Sequence, residues 1–233
     1  LGTRGALLVG GREGADGGLS TPAFELYDAL TGDVCVDDCP TVPPDYAQRT
    51  AAFAVTLTDG RVVHGAGLDS SGQPRADLWV TGTDGVTTRL SPTLPAPLSE
   101  VAAARGPGNT VLLFGGRSSD GGVSDAVAQV FVDENRLEVS QRLSRARAGA
   151  SVGVTQNPQR WVVIGGTDGS NTPVLSVEVF DDQLMRSLAT SPLKTPRVAP
   201  AVVRLPDETL FIIGGGSAVP EAFTLSGELG AEV

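Results

Sequence analysis

A short apolar strand that ends in glycine recurs through this chain at nearly constant spacing. The copies are Ala6-Leu7-Leu8-Val9-Gly10-Gly11, Val62-Val63-His64-Gly65-Ala66-Gly67, Val111-Leu112-Leu113-Phe114-Gly115-Gly116, Trp161-Val162-Val163-Ile164-Gly165-Gly166 and Leu210-Phe211-Ile212-Ile213-Gly214-Gly215. Their first glycines stand at 10, 65, 115, 165 and 214, so the intervals are 55, 50, 50 and 49 residues. A fixed period of this length means that one supersecondary unit is repeated, and that each unit completes its core against its neighbours.

The grammar of one unit is clearest around residues 145–193. Residues 149–155 (Gly-Ala-Ser-Val-Gly-Val-Thr) form a strand of small residues, and Asn157-Pro158-Gln159 turns the chain. The strand at 161–164 is apolar throughout, as a strand buried on both faces should be. After the glycine pair and a polar loop, Val177-Glu178-Val179-Phe180 alternates apolar and polar, and a weaker fourth strand lies near Met185 and Leu188. Equivalent inner turns stand at Asp59-Gly60, Pro107-Gly108-Asn109 and Pro206-Asp207-Glu208, with no helical periodicity between them. The expectation is an all-β chain of four-stranded antiparallel meanders forming one domain over residues 1–233. The repeats fall at approximately 1–45, 46–95, 96–144, 145–193 and 194–233. In the last of them the strands are expected at 199–205, 209–213 and 222–225.

These glycine pairs, the third strands that read Glu25-Leu26-Tyr27-Asp28 or Glu178-Val179-Phe180-Asp181, the ~50-residue period and the Pro196-Arg197 step before a first strand resemble the Kelch repeat family of β-propellers. The resemblance spans essentially the whole chain. It implies a Kelch-type propeller of about five four-stranded blades, on a scaffold that serves adaptors, actin binders, carbohydrate-active enzymes and mutarotases alike. The family's fourth-strand Trp is missing, and the second copy reads Gly65-Ala66-Gly67 instead of a clean pair. The first repeat begins at its second strand. Five copies therefore close with an improvised edge, or the chain is a portion of a larger propeller, or something else completes the ring; the missing strand favours the portion. The sequence opens at Leu1 rather than Met with no signal-peptide pattern, so a preceding segment is expected to have been removed or to lie outside this sequence.

Charge and residue scarcity narrow the function. With 27 Asp and Glu against 17 Lys and Arg, the net charge is −10, which disfavours nucleic acid or an anionic membrane surface as partner. The longest apolar runs are strand-length, so no transmembrane helix is expected. A chain with one His, and with Tyr27 and Tyr46 its only tyrosines, lacks the ligands of a Kelch-class copper oxidase. The aspartate-box pattern of a sialidase is absent. No Gly-x-Ser-x-Gly elbow occurs, and His64 lies on an apolar strand and reads as a core residue. The expected function is a non-enzymatic binding or scaffold module that needs no metal or cofactor and presents loops to a protein partner, an acidic segment or a glycan. The alternative is a carbohydrate-active enzyme, mutarotase-like or lyase-like, working with Arg and carboxylates.

Aligning the copies on their glycines puts Arg49, Arg147 and Arg197 at one equivalent position before the first strand, where the third repeat has Leu98; Arg12 and Arg117 follow glycine pairs. In a propeller these loops open on one side, so five guanidiniums would make a cationic well suited to carboxylates or phosphates. The family resemblance implies the same, since Kelch-like adaptors grip acidic segments with arginines there. The alternative is a framework role, each Arg pairing with a carboxylate of a neighbouring blade. The loops Asp16-Gly17-Gly18, Asp69-Ser70-Ser71-Gly72, Ser118-Ser119-Asp120-Gly121-Gly122 and Asp168-Gly169-Ser170-Asn171 match no full calcium-ligand spacing and read as turns. Cys35 and Cys39, four apart, lack two further zinc ligands and are expected to form a short-loop disulfide. That bond would indicate an extracellular, periplasmic or cell-surface location; two reduced thiols would fit the cytoplasm.

Overall fold

A computed structural model describes residues 5–13, 18–19, 24–28, 34, 40–188 and 192–225. Every regular element among them is a β-strand. No helix of the described residues is long and apolar enough to cross a membrane. Cys35 and Cys39 fall outside the described residues, as does most of the expected fourth strand of the first repeat.

The strands follow the predicted grammar. In the first repeat β1 (Gly5–Val9) pairs with β4 (Phe24–Asp28), and a ribbon of β2 (Arg12–Glu13) and β3 (Gly18–Leu19) lies between them in sequence. The second repeat is a four-stranded antiparallel sheet of β5 (Phe53–Thr56), β6 (Val62–Gly65), β7 (Arg75–Thr81) and β8 (Thr87–Leu98). β8 carries Pro92, Pro95 and Pro97, which an outer-edge strand tolerates because its outward amides have no ladder to serve. The third repeat is β9 (Ala102–Arg105), β10 (Thr110–Phe114), β11 (Ala126–Phe131) and β12 (Arg136–Arg142). The fourth is β13 (Ser151–Gln156), β14 (Gln159–Ile164), β15 (Glu178–Phe180) and β16 (Arg186–Leu188). Among the described residues the fifth has three strands, β17 (Ala201–Arg204), β18 (Leu210–Gly214) and β19 (Ser217–Phe223).

The fifth repeat departs from expectation. Its third strand begins at Ser217 and not at 222, because Gly214, Gly215 and Gly216, at φ +72°, +69° and +97°, turn the chain straight into a hairpin with no polar loop.

Two compact units emerge from the packing: Leu1–Glu100 with Arg105–Val111 and Val130–Leu137, and Val101–Ala104 with Leu112–Gln129 and Glu138–Val233. In the first, Tyr46 and Trp79 meet at a 5.2 Å ring separation and pack against Leu7 and Val9 of β1. The second holds two successive cores. One joins Leu112 and Phe114 to Trp161, Val163 and Phe180. The other joins Val162 and Ile164 to Leu210, Ile212 and Phe223. The middle strand of each sheet thus has an outgoing face, one and three residues before its glycine pair, and an incoming face, two and four residues before it. Alternation of side chains along a strand produces both faces, which explains why β14 is apolar without interruption from Trp161 to Ile164.

Candidate functional site

The three arginines that precede first strands are interior residues. Arg49, Arg147 and Arg197 are each 0% exposed, and each stands four residues before its strand, at Phe53, Ser151 and Ala201. Each reaches across its own sheet to a carboxylate on the third strand. Arg49 Nη2 donates to Asp77 Oδ2 at 2.8 Å, Arg147 Nη2 to Glu178 Oε1 at 2.5 Å, and Arg197 Nε to Glu221 Oε1 at 2.9 Å. Their remaining donors meet carbonyls: Ala66 O and Ala47 O for Arg49, Arg145 O, Gly165 O and Ser176 O for Arg147, and Gly214 O and Val219 O for Arg197. A guanidinium has five N–H donors in a rigid fork, and these sockets use most of them internally.

The cationic well expected of five arginines is therefore corrected. Arg49, Arg147 and Arg197 are sealed from solvent and do not reach the surface where a partner would bind. Their partners lie in their own sheets and not in a neighbouring repeat, because the third strand of the same sheet is what the side chain reaches from four residues ahead of the first. Arg12 sits on β2, paired with Leu19 through the backbone, and its side chain is outside the described residues. Arg117 is half-buried and donates to Thr167 Oγ1 at 2.8 Å and Gly121 O at 3.3 Å, propping two loops.

The same arginines also join one repeat to the next. The Arg49 carbonyl accepts from Gly11 N–H at 3.1 Å, that of Arg147 from Gly116 at 2.9 Å, and that of Arg197 from Gly166 at 2.8 Å. At the second repeat it is Gly67 N–H that donates, to Leu98 O at 2.9 Å. The glycine pair of that repeat is thus Ala66-Gly67 and not Gly65-Ala66, with Ala66 at φ +56° in the place of the first glycine. The third repeat has Leu98, buried at 7% exposure, in the arginine position, and its third strand, Ala126–Phe131, holds no carboxylate. Both halves of the ion pair are missing together, as expected when one buried charge without the other would be costly.

Electrostatics in the Asp77 socket bear on the single histidine. Burial raises the Asp77 pKa, but hydrogen bonds from Arg49 and Trp79 outweigh it and hold the carboxyl below its ordinary value. His64 is 0% exposed, with Nε2 at 3.0 Å from Thr81 Oγ1 and Nδ1 at 3.4 Å from the Tyr46 hydroxyl. Burial, then the Arg49 charge, lowers its pKa from 6.5 to about 3. His64 is a neutral core residue, as its strand pattern implied, and offers no proton-transfer group at neutral pH. The unfolded chain takes up a proton near pH 6.5 while the folded chain does not until about pH 3, so stability should fall as pH drops through this window. From pH 7 to pH 5 the loss is about 2 kcal/mol for one such site. Urea midpoints at the two pH values measure it, and His64→Gln should flatten the difference; an equal fall in the variant would refute this assignment.

What remains at the surface is a set of loops after the glycine pairs. Residues 69–73, 118–122 and 168–172 share one closure: the first amide donates to the fifth carbonyl at 2.9 Å in all three. Asp69 Oδ1 accepts from the amides of Ser71 and Gln73, and Asp168 Oδ1 from those of Ser170 and Thr172. In the middle loop Asp120 Oδ1 accepts from Gly122 N–H and from Ser118 Oγ. The turn reading of these loops holds for all three, and among the described residues no group of three or more His, Cys, Asp or Glu could hold a metal ion. Four residues in each loop are exposed: 70–73, 119–122 and 169–172. Arg145, which the sequence did not single out, is half-exposed at one of them, its Nη2 at 2.6 Å from Asp168 Oδ2.

Compared with known proteins, the chain matches no protein-family model and no curated protein.

Proposed function

We propose that this chain is a Kelch-type β-propeller module of about five repeats, non-enzymatic, that presents its loops to a protein partner. The observation that carries the reading is the set of three post-glycine loops. They share one hydrogen-bonded backbone but carry different tips: Ser70-Ser71-Gly72-Gln73, Ser119-Asp120-Gly121-Gly122 and Gly169-Ser170-Asn171-Thr172. A fixed backbone with variable exposed side chains suits recognition, because a preorganised loop loses little conformational entropy on binding. The antiparallel sheets, each with a glycine-terminated second strand, support the propeller part of the proposal. A Cys35–Cys39 disulfide and an extracellular, periplasmic or cell-surface location belong to the same proposal.

Selection from a displayed peptide library tests it. Ligands recovered on the native protein should lose about tenfold or more in affinity, a cost of ~1.4 kcal/mol, on a variant with Asp69→Ala, Ser118→Ala and Asp168→Ala, whose fold is checked by its thermal midpoint. Recovery of no ligand, or of ligands indifferent to the three changes, would overturn the reading.

A further inference from the structure

The fourth strands of the third and fourth repeats border an open groove of about 530 Å³, lined by Val139, Ser140, Gln141 and Arg142 of β12 and by Arg186 of β16. All five residues belong to the second compact unit. In a chain with 27 Asp and Glu against 17 Lys and Arg, the described residues of this lining include two arginines and no carboxylate. Val139, at 44% exposure, adds an apolar contact beside them.

Neither arginine is used up by the fold. Arg142 is 69% exposed and donates through Nη1 alone, to Asp125 Oδ1 at 2.6 Å. Arg186 Nη1 stands 3.5 Å from Glu178 Oε2, an oxygen that already accepts from the Ser144 amide at 2.7 Å, while Arg147 holds Oε1. Glu178 therefore has its partners without Arg186. A guanidinium has five N–H donors, and among the described residues these single contacts leave Nε and Nη2 of both arginines without an acceptor. The shared Glu178 oxygen also places Arg186 beside the Ser144 amide, two residues beyond Arg142, so both forks stand at one end of the groove.

We infer that this groove binds an extended acidic peptide segment, with one carboxylate held between Arg142 and Arg186 and a neighbouring apolar side chain on Val139. The planar fork of Arg matches a carboxylate through two parallel hydrogen bonds. One exposed ion pair contributes about 1 kcal/mol or less, so two forks on one anion and an added apolar contact are what make a site. An open groove does not enclose a small molecule, whereas a pocket buries most of its ligand's surface. A chain that passes along β12 meets the arginines and Val139 together. The pairing of Arg142 with Asp125 leaves room for this, since it uses Nη1 and not the Nε–Nη2 edge. The site is separate from the loops that follow the glycine pairs: those leave the ends of second strands, and the groove lies on fourth strands.

Fluorescence anisotropy with a labelled Glu-Val-Glu-Val-Glu peptide and its Gln-Val-Gln-Val-Gln counterpart tests the inference. The acidic peptide should bind saturably, and more weakly as salt rises; the Gln peptide should not bind. Arg142→Gln with Arg186→Gln should weaken binding by about tenfold or more. Arg142→Lys with Arg186→Lys, which keeps the charge without the fork, should bind between the two. Val139→Glu puts a like charge in the groove at an exposed position and should also weaken binding; it leaves both arginines in place should the double Gln variant fail to fold. The variant with Asp69→Ala, Ser118→Ala and Asp168→Ala should bind this peptide as the native protein does, which separates the groove from the loops. Absence of saturable binding, equal binding of the Gln peptide, indifference to the groove variants, or loss of binding in the loop variant would each overturn the proposal. Displacement by inorganic phosphate at far lower concentration than by acetate would overturn the carboxylate in favour of a phosphorylated ligand.

Discussion

Arg147→Ala should cost about 3–5 kcal/mol of stability, the usual consequence of stranding one member of a fully buried ion pair. Arg147 and Glu178 are both 0% exposed. Without the guanidinium, the carboxylate keeps only the Ser144 amide at 2.7 Å and a longer contact to Arg186 at 3.5 Å, while Gly165 O and Ser176 O lose their donor. The natural control is two residues away. Arg145→Ala removes a pair that is half-exposed on the arginine side, and exposed pairs contribute 1 kcal/mol or less. Urea midpoints for the two variants should differ clearly, and equal losses would refute the socket.

The third repeat suggests a further arm. Its Leu98 and carboxylate-free third strand show that a repeat can do without both charges, so Arg147→Leu with Glu178→Leu should recover much of what Arg147→Ala loses. Recovery will be incomplete, because the Ser144 amide and the freed carbonyls still lack partners.

That comparison also shows what the sequence disclosed and what it hid. The strands were legible because burial on both faces makes a second strand continuously apolar, and because glycines punctuate each at a near-constant interval. The register of the second repeat was not, since Gly65-Ala66-Gly67 offers two pairings and only the bond from Gly67 to the Leu98 carbonyl decides between them. The binding face expected of Arg49, Arg147 and Arg197 gave way to the framework role, with partners in their own sheets, because a charge just before a strand looks like a loop residue when the third strand's carboxylate is 24 to 31 residues away. A signal for the right answer was present. Arg49, Arg147 and Arg197 each share a repeat with Asp77, Glu178 or Glu221 on the third strand, whereas the repeat with Leu98 has no acid there. Charges that appear and vanish together within repeats of one chain point to pairing. The shared loop closure at 69–73, 118–122 and 168–172 was only half legible: the Asp and Gly content gave the turns, but not the recurring bond from first amide to fifth carbonyl.

Gly165→Val is the second large expected loss, and comparison with Gly214→Val separates its causes. Both glycines have φ near +70°, a conformation that costs a side-chain-bearing residue roughly 1–3 kcal/mol, with β-branched residues at the upper end. At Gly214 that cost acts alone, because no described atom lies within 4 Å of the added carbon. At Gly165 the carbon also meets the Arg197 carbonyl at 2.5 Å, an oxygen held by the Gly166 amide at 2.8 Å and attached to a residue whose guanidinium is fixed by Glu221. Relieving the overlap means moving the backbone of the arginine socket, so the Gly165 variant should lose clearly more stability and the Gly166 amide should exchange faster with solvent. The second repeat limits how absolute this is: Ala66 occupies the equivalent place at φ +56°, where the incoming residue is Leu98, which has no ion pair to keep in register. Gly165→Ala should therefore be milder than Gly165→Val yet still worse than Gly214→Ala. Equal midpoints for the two alanine variants would mean that backbone conformation alone, and not the approach of the next repeat, keeps glycine at these positions.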